Sequence, residues 1–437
     1  MTEATLQQGG IVDPAPRTPR SILRAAELDT RLLGLLMALG AIWIAFHLMS
    51  GGDFITPRNL WNLSVQSSSI GIMATGMVLI IVSRNIDLSV GSMLGFLGYT
   101  MAMFQVMWLP VSLGLGFNHP LTWILTLIVG LGAGAAIGLF QGFIVAYAGV
   151  PSFSVTLGGL LAWRGLIFRY AQGQTIAPLD GTFRLLGGGP MGSIGEIGSW
   201  VIGIIAILGI IYTLIANRRR RRRFGFALRP MAAEIGIAAT GVVAVLAAVW
   251  VVNSYPWPEQ LARNLYERQG IPWPDAGALI PTGIAYPVII LIVVGLAMTY
   301  LATRRRFGRN VFAIGGNPEA AILSGINVRR TIMYTFGLMG VLTALSGAVQ
   351  TARLNSAVTG LGVTNELDVI SAAVIGGTSF SGGVGTIPGA ILGAVIMQSL
   401  RSGMFLLNVD SPAQDVVVGL VLVSAVGLDS FLRRRSK

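Results

Sequence analysis

The residue types that usually carry out chemistry in proteins are scarce in this sequence. It contains no cysteine, which excludes disulfides and thiolate metal sites, and its only histidines are His47 and His119. Each histidine lies in or beside an apolar segment without a cluster of metal ligands near it, so both are predicted to serve packing or an interface. The hydrolase pattern G-x-S-x-G and the zinc pattern H-E-x-x-H are absent. The chain is therefore predicted not to be an enzyme.

Two glycine-rich stretches could in principle cradle a phosphate. They are "GGTSFSGGVG" at 376–385 and "AIGGNP" at 313–318. Neither continues into Gly-Lys-Ser/Thr, and no Walker lysine or acidic partner lies nearby, so the phosphate-loop chemistry lacks its charged groups. We predict that the chain binds neither ATP nor another cofactor itself.

Ionisable residues within or beside apolar segments are functional candidates, because a charge in hydrocarbon is costly. Most of those in this chain fall near predicted helix ends, where Asp87 and Glu366 are explained by the positive end of a helix dipole. No carboxylate falls clearly at the centre of a predicted span, which argues against an ion-coupled transporter. The residues considered are Arg84, Asp87, Arg164, Glu234, Glu366, Asp368 and Arg401.

A short polar stretch, "GGNPEAAILSG" at 315–325, lies between two long apolar segments. Gly315 and Gly316 are predicted to form a turn, since glycine tolerates unusual backbone angles. Asn317 can then act as the N-cap, with Pro318 at the first helical position and Glu319 near the positive end of the dipole. The pattern predicts a small, well-capped helix at one face of a membrane.

The elements around these residues must be membrane helices. The chain is 53% hydrophobic and 11% charged, with a mean hydropathy of +0.73 and 58 glycines in 437 residues. A soluble protein carries about a quarter charged residues, and frequent glycine suits helices that pack closely in lipid. The fold class predicted is all-α, a polytopic integral membrane bundle of about 10–12 transmembrane helices.

Runs of apolar residues near the length of a membrane span divide the chain further. The candidate spans are 32–49, 63–82, 88–108, 121–147, 153–170, 199–216, 231–252, 284–302, 332–352, 366–377, 387–407 and 415–432. Residues 1–30 are polar and contain proline, so we predict a disordered cytoplasmic tail, not a cleaved signal peptide, followed by a transmembrane domain over 31–437.

The net charge of +12 could suggest nucleic acid, but the arginines cluster beside the spans. The clusters at 218–223, 304–309 and 433–435 all fall on one side when the chain starts inside, as the positive-inside rule requires. We therefore predict that both termini are cytoplasmic and that nucleic acid is not a partner. The six-arginine run at 218–223 could also contact anionic lipid headgroups.

On the opposite side, the segment 253–282 carries Trp257 and Trp273, each followed by proline. Aromatic residues there suit an interfacial belt, and a docking surface for an external partner is the alternative. The polar, glycine-rich segment 171–198 is predicted to lie on the same side.

A short internal similarity links "VGSMLGFLG" (90–98) with "VGTIPGAILG" (384–393). Each follows a break, "SRNIDLS" (83–89) or "GGTSFSGG" (376–383). Paired interruptions in the two halves of a membrane protein point to a translocation pathway. The span count puts both breaks on the same side and implies a parallel repeat; an error of one span would make it inverted.

Three motifs resemble a known family. "EAAILSG" (319–325) resembles the E-A-A-x-x-x-G cytoplasmic loop of ATP-binding-cassette importer permeases. The runs 307–330, 85–95 ("NIDLSVGSMLG") and 374–394 are similar to the ribose/xylose-type sugar permeases. The resemblance covers most of 60–170 and 284–432, and the extra segments around 199–252 look most like the xylose branch.

The resemblance implies a function. The chain would be the permease subunit of an ATP-driven importer of a monosaccharide, D-xylose in the first instance and ribose or another sugar as the alternative. It would pair with a second copy, ABC ATPase subunits carrying ATP and Mg²⁺, and a periplasmic sugar-binding protein, in a bacterial inner membrane and in contact with its lipid. An ion-coupled secondary sugar transporter is the rival class.

The same resemblance implies two sets of site residues. A cytoplasmic coupling loop (303–331) would dock on the ATPase, with small residues at its surface for close approach, and 253–282 would be periplasmic. The coupling residues would be Gly315, Gly316, Asn317, Pro318, Glu319, Ala320, Ala321 and Gly325. The substrate pathway would include Asn85, Asp87, Ser89, Gly91, Thr378, Ser379, Phe380, Ser381, Gly382 and Gly383.

Overall fold

A computed structural model of the protein describes residues 30–226, 228–275 and 277–435. Over those ranges the regular structure is helical, with a few isolated bridges and no strand. The predicted disordered tail lies outside the described residues, apart from Thr30, which begins the first helix.

The chain forms seventeen α-helices in the described ranges, and the third is continued by a π-helical turn at Phe104–Trp108. They are α1 (Thr30–Met49), α2 (Pro57–Val82), α3 (Val90–Met103), α4 (Leu109–Leu113), α5 (Thr122–Tyr147), α6 (Ser152–Ala171), α7 (Gly181–Leu185), α8 (Gly195–Arg223), α9 (Met231–Asn253), α10 (Glu259–Arg268), α11 (Tyr286–Arg304), α12 (Arg306–Gly316), α13 (Pro318–Leu323), α14 (Val328–Leu354), α15 (Asn365–Ile375), α16 (Ile387–Leu406) and α17 (Ser411–Arg435).

Nine stretches in the described part of the chain are long and apolar enough to cross a membrane. They are α1, α2, α3 with its continuation to Leu113, α5, α8, α9, α11, α14 and α16. This confirms the predicted all-α polytopic bundle. The span expected at 366–377 is instead the 11-residue α15, which at 1.5 Å per residue is about 16 Å long and too short to cross alone.

The contacts divide the chain into two units. Of the described residues, one unit comprises those in 34–200 and 249–435, and the other comprises those in 30–33 and 201–248. In the smaller unit, α8 and α9 are joined by a turn after the arginine run, and Arg218 forms an ion pair of 2.7 Å with Glu234.

The core of the larger unit surrounds α2. From Ile72 to Val82 this helix is completely or almost completely buried by α11, α14, α15 and α16. Such all-round burial explains why α2 is apolar on every face in this half. Nearer its start, α2 carries polar residues on one face, and these line cavities described below.

Glycine allows a close helix contact in the larger unit, between α5 and α14. Gly134 and Gly138 of α5 lie against the backbone of Phe336 and Gly340, where an added Cβ would collide with carbonyl oxygens. The predicted close packing of glycine-rich membrane helices is therefore confirmed for this pair.

The segment 253–282 packs at the end of the bundle where α2 begins. The indole of Trp61, in the first turns of α2, donates to the Gly283 carbonyl over 2.9 Å and its ring lies 5.2 Å from that of Tyr255. Within the segment, the Arg263 guanidinium lies 5.2 Å from the Trp273 ring. Trp273 is therefore held by a neighbouring side chain of the same segment.

Candidate functional site

The predicted short helix is present as α13, Pro318–Leu323. The side-chain oxygen of Asn317 accepts a hydrogen bond from the Ala320 amide over 3.0 Å, which is the N-cap geometry. Pro318 occupies the first helical position, and Gly325 follows the helix with φ +78°, a conformation that favours glycine. The predicted cap and first turn are confirmed.

Two expectations for this region were wrong. Gly315 and Gly316 do not form a turn; they are the last two residues of helix α12. Ala321 is not at the surface but is buried at 3% exposure, because α13 packs against its neighbours on that face. The helix does expose Glu319 and Ala320, the latter as expected, and two large apolar side chains, Ile322 at 60% and Leu323 at 89%.

Gly315 is required by a close approach. A Cβ at this position would collide with the Val82 carbonyl oxygen at the end of α2 and would lie 2.6 Å from the Gly383 amide nitrogen. A Cβ at Gly316 would meet nothing within 4 Å. The need for glycine at 315 therefore comes from packing and not from backbone angle.

A junction of three chain segments surrounds Gly315. Arg84 donates from Nε to the Gly315 carbonyl over 2.7 Å and from Nη2 to the Gly316 carbonyl over 2.9 Å. The Gly383 amide donates to the Val82 carbonyl over 3.0 Å. We call this set, Val82, Arg84, Gly315, Gly316 and Gly383, the coupling junction. It brings the two predicted breaks together next to α12–α13.

The first break, 83–89, is held by its own side chains. Asp87 is buried and accepts hydrogen bonds on Oδ1 from the amide and the hydroxyl of Ser89, over 2.9 and 2.7 Å. Ser89 also contacts Gln141 of α5, and the Asn85 amide donates to the Ser83 carbonyl over 3.0 Å. These residues form a compact start for α3.

The second break, 376–383, lies in the loop between α15 and α16. Thr378 and Ser379 are buried, the hydroxyls of Ser379 and Ser381 lie 2.8 Å apart, and Phe380 packs against the core. Gly382 and Gly383 have φ +84° and +75°, which suits glycine. Both breaks lead into helices that leave the coupling junction, as expected for breaks on the same side.

The starts of two broken helices meet inside the bundle. Gly91, in the first turn of α3, lies so close to Gly362 and to the Glu366 carboxylate that a Cβ would collide with both. Glu366 is itself the second residue of α15. The carboxylate thus lies at the positive ends of two helices, which supports the dipole explanation predicted for it.

Two cavities open at the other end of α2, on its polar face. The larger has a volume of about 850 Å³ and includes Asn59, Asn62, Ser402 and Phe405 in its lining. The smaller has a volume of about 210 Å³ and is lined in part by Ser69, Asn365 and Asp368. Both are lined by the same three side chains, those of Gln66, Gln398 and Arg401.

An ion pair and an amide pair lie where the cavities adjoin. Arg401 binds Asp368 through two hydrogen bonds of 2.8 and 2.9 Å and reaches Asp415 at 3.2 Å. Gln398 donates to Gln66 over 2.6 Å. Asp368 is almost fully buried, and a bidentate guanidinium is the partner that best compensates a buried carboxylate.

Sequence reasoning considered Asp368 and Arg401 but assigned them no role, and it missed Gln66 and Gln398. None of the residues predicted for the pathway lines either of these two cavities. The missed signal was a polar stripe on an otherwise apolar helix: Asn59, Asn62 and Gln66 recur at helical spacing on one face of α2.

A polytopic helical bundle with a short capped helix between two spans, broken helices and a polar cavity has the features of a membrane transport subunit. A family model described as "Branched-chain amino acid transport system / permease component" matches residues 59–184 and 188–426. The chain belongs to this family. As a permease component it is a transport subunit and not an enzyme.

Curated relatives match almost the whole chain. It is 37% identical over 410 residues to the xylose transport system permease protein XylH of Escherichia coli (strain K12), covering 94% of both chains. It is 36% identical to the XylH protein of Haemophilus influenzae, covering 94% of this chain and 99% of the relative. The ribose import permease protein RbsC of Escherichia coli (strain K12) is 30% identical over 378 residues, 86% of this chain and 87% of the relative. No solved structure matches the chain.

Proposed function

We propose that this chain is the permease subunit of an ATP-driven importer for a monosaccharide, with D-xylose as the first candidate. Sequence similarity supports the sugar: identity is 37% to a xylose permease and 30% to a ribose permease. The structural observation that carries the proposal is α13, a capped helix that exposes Leu323 and directly follows α12, whose last two carbonyls accept hydrogen bonds from Arg84 between α2 and α3.

The coupling step follows from the junction. An ATPase subunit would contact the exposed Ile322 and Leu323 of α13, and its closure on ATP would displace α12–α13. Because Arg84 binds the last two residues of α12, the displacement would reach the C-terminal end of α2 and the start of α3. The Gly383–Val82 hydrogen bond would carry it to α16.

The assembly we propose contains two copies of this chain, two ATPases that bind ATP and Mg²⁺, and a periplasmic sugar-binding protein. The chain would lie in a bacterial inner membrane with both termini cytoplasmic. The arginines at 304–306 and 309, at the end of α11 and in the first turn of α12, support a cytoplasmic position for the coupling junction. The segment 253–282, at the opposite end of α2, would then be periplasmic and available to the binding protein.

The break residues keep their proposed role in the path. Asn85, Asp87, Ser89 and Gly91, together with 378–383, surround the coupling junction and would line the inner half of the route when the junction opens. In the present arrangement the apolar, fully buried stretch of α2 from Ile72 to Val82 separates them from the cavities.

Docking can be tested with two matched leucines. Leu323→Arg alters an exposed leucine of α13, and Leu279→Arg makes the same change at a leucine that is 84% exposed in the segment 253–282. In membranes holding the whole complex, we expect Leu323→Arg to lose the ATPase in pull-down and to lose sugar uptake, whereas Leu279→Arg retains the ATPase. ATPase binding that survives in Leu323→Arg would contradict docking on α13.

The rival class, an ion-coupled sugar transporter, predicts uptake that needs no ATPase and disappears with an ionophore. The proposed importer predicts uptake that requires the ATPase and persists in the presence of an ionophore. Uptake of labelled D-xylose, D-ribose and other monosaccharides by the reconstituted complex would then rank the sugars.

A further inference from the structure

We propose that the two adjoining cavities at the start of α2 bind the transported sugar, an uncharged polyhydroxylated molecule, and that Gln66 and Gln398 form the barrier between its outer and inner positions. The inference rests on the proposed function and adds the site. It does not involve the residues predicted from the sequence for the pathway.

The charges of the cavities favour an uncharged ligand. Three arginines and two aspartates contribute to the linings, and a third aspartate, Asp415, binds Arg401 from outside them. These formal charges cancel. An inorganic anion or a cation would therefore find no net opposite charge in the cavities. An uncharged polyol does not need one, because it binds through hydrogen bonds.

The remaining polar lining consists largely of amides and hydroxyls. Such groups both donate and accept hydrogen bonds, which matches the hydroxyls of a sugar. In the contact between the two glutamines only one donor of Gln398 and the acceptor of Gln66 are used. The Gln66 amide NH₂ and the Gln398 carbonyl oxygen are therefore available to hydrogen-bond a ligand in either cavity.

The position of the glutamine pair gives the order of events. The larger cavity, about 850 Å³, falls in the range of about 300–1,000 Å³ typical of small-molecule sites. The smaller one, about 210 Å³, shares the Gln66–Gln398 pair with it. A sugar would thus wait in the larger cavity and reach the smaller one when the hydrogen bond between the two glutamines opens.

The smaller cavity is also linked to the coupling junction. Asp368 lies in the first turns of α15, and α15 leads directly into the turn that contains Gly383. Arg401 holds the cavity end of this short helix through its two hydrogen bonds to Asp368. A displacement at the junction can therefore pass along the 11 residues of α15 to Asp368 and Arg401, and Arg401 lies three residues after Gln398 on α16.

The absence of cysteine permits a direct test in the complete reconstituted complex. Gln66→Cys and Gln398→Cys each introduce a single thiol in the barrier, and Leu279→Cys places one at the same end but outside the cavities. A small charged methanethiosulfonate is added from the α2-start side, with D-xylose, D-ribose or L-valine as the competing solute. We expect both sugars to slow modification at 66 and 398, but not at 279, and L-valine to protect none.

Removing both amides gives a second measurement. Gln66→Ala with Gln398→Ala is expected to lower initial uptake by about tenfold or more, as expected for the loss of one or two ligand hydrogen bonds, while the ATPase remains bound. Normal uptake in that variant, or modification at 66 and 398 that sugars leave unchanged, overturns the site. Protection by L-valine alone overturns the ligand class.

These results can be separated from those for the proposed function. If the unmodified complex imports sugar with ATP but the cavities fail both measurements, only the site is wrong. If the unmodified complex imports no sugar, the proposed function itself is wrong.

Discussion

Arg84 and Gly315 link the region of α12 and α13 to the transmembrane bundle, with the arginine Nε 2.7 Å from the glycine carbonyl oxygen. A second bond from the same guanidinium reaches the Gly316 carbonyl over 2.9 Å. The two bonds satisfy carbonyls at the end of α12 that have no partner within the helix. Arg84 therefore both completes this helix end and attaches it to the segment that follows α2.

Replacing Arg84 should separate ATP hydrolysis from transport. We expect Arg84→Gln to reduce sugar uptake by about tenfold, since two charge-assisted hydrogen bonds are lost, while the ATPase still binds and hydrolyses ATP. Uptake and ATP hydrolysis measured in the same vesicles test this. Arg309→Gln is the matched control, because Arg309 is exposed and bonds only the Arg304 carbonyl. Equal uptake in both variants would remove Arg84 from the coupling step.

The two neighbouring glycines provide a sharper comparison. Gly315→Ala should impair assembly and uptake because its methyl group would collide with the Val82 carbonyl, whereas Gly316→Ala has open space. Since alanine is favoured over glycine inside a helix by about 1 kcal/mol, Gly316→Ala should be neutral or slightly stabilising. Thermal unfolding in detergent and uptake measure the difference. Similar behaviour of the two variants would show that the close approach is unimportant.

The N-cap of α13 should matter for docking. Asn317→Ala removes the side-chain acceptor of the Ala320 amide, at a cost of about 0.5–2 kcal/mol, and should weaken ATPase binding by loosening a six-residue helix. Asn317→Asp keeps an acceptor at the same position and should retain binding. Affinity of the permease for the ATPase is the measurement. Weak binding in both variants would mean that the amide group contacts the partner directly.

The ion pair between Arg401 and Asp368 should contribute to stability only as a pair. Removing one partner, as in Arg401→Met, leaves a buried carboxylate uncompensated and should destabilise the fold by about 3–5 kcal/mol. Arg401→Met with Asp368→Leu should recover most of the loss, because well-packed apolar groups often replace buried ion pairs without cost. Unfolding of the purified chain in detergent gives both values. A double variant as unstable as the single one would contradict this account.

The sequence predicted the membrane class and the ends of many elements because these depend on local chemistry. Apolar runs of span length and the Asn317–Pro318 cap act over a few residues, and the cap and most runs were found where expected; the runs at 153–170 and 366–377 are helical but are not among the nine span-length stretches of the described chain. The resemblance to importer permeases likewise rested on short continuous motifs, and the family match confirms it.

The tertiary structure determined which residues from distant parts of the chain are in contact. Whether Gly315 forms a turn or a contact depends on Val82 and Gly383, which are distant in sequence, and the burial of Ala321 depends on packing that no local pattern records. The cavity beside Gln66 and Gln398 combines residues 332 positions apart. Local sequence determines helix formation and membrane insertion through backbone hydrogen bonding and hydrophobicity, but a site between helices exists only once packing has chosen their neighbours and register.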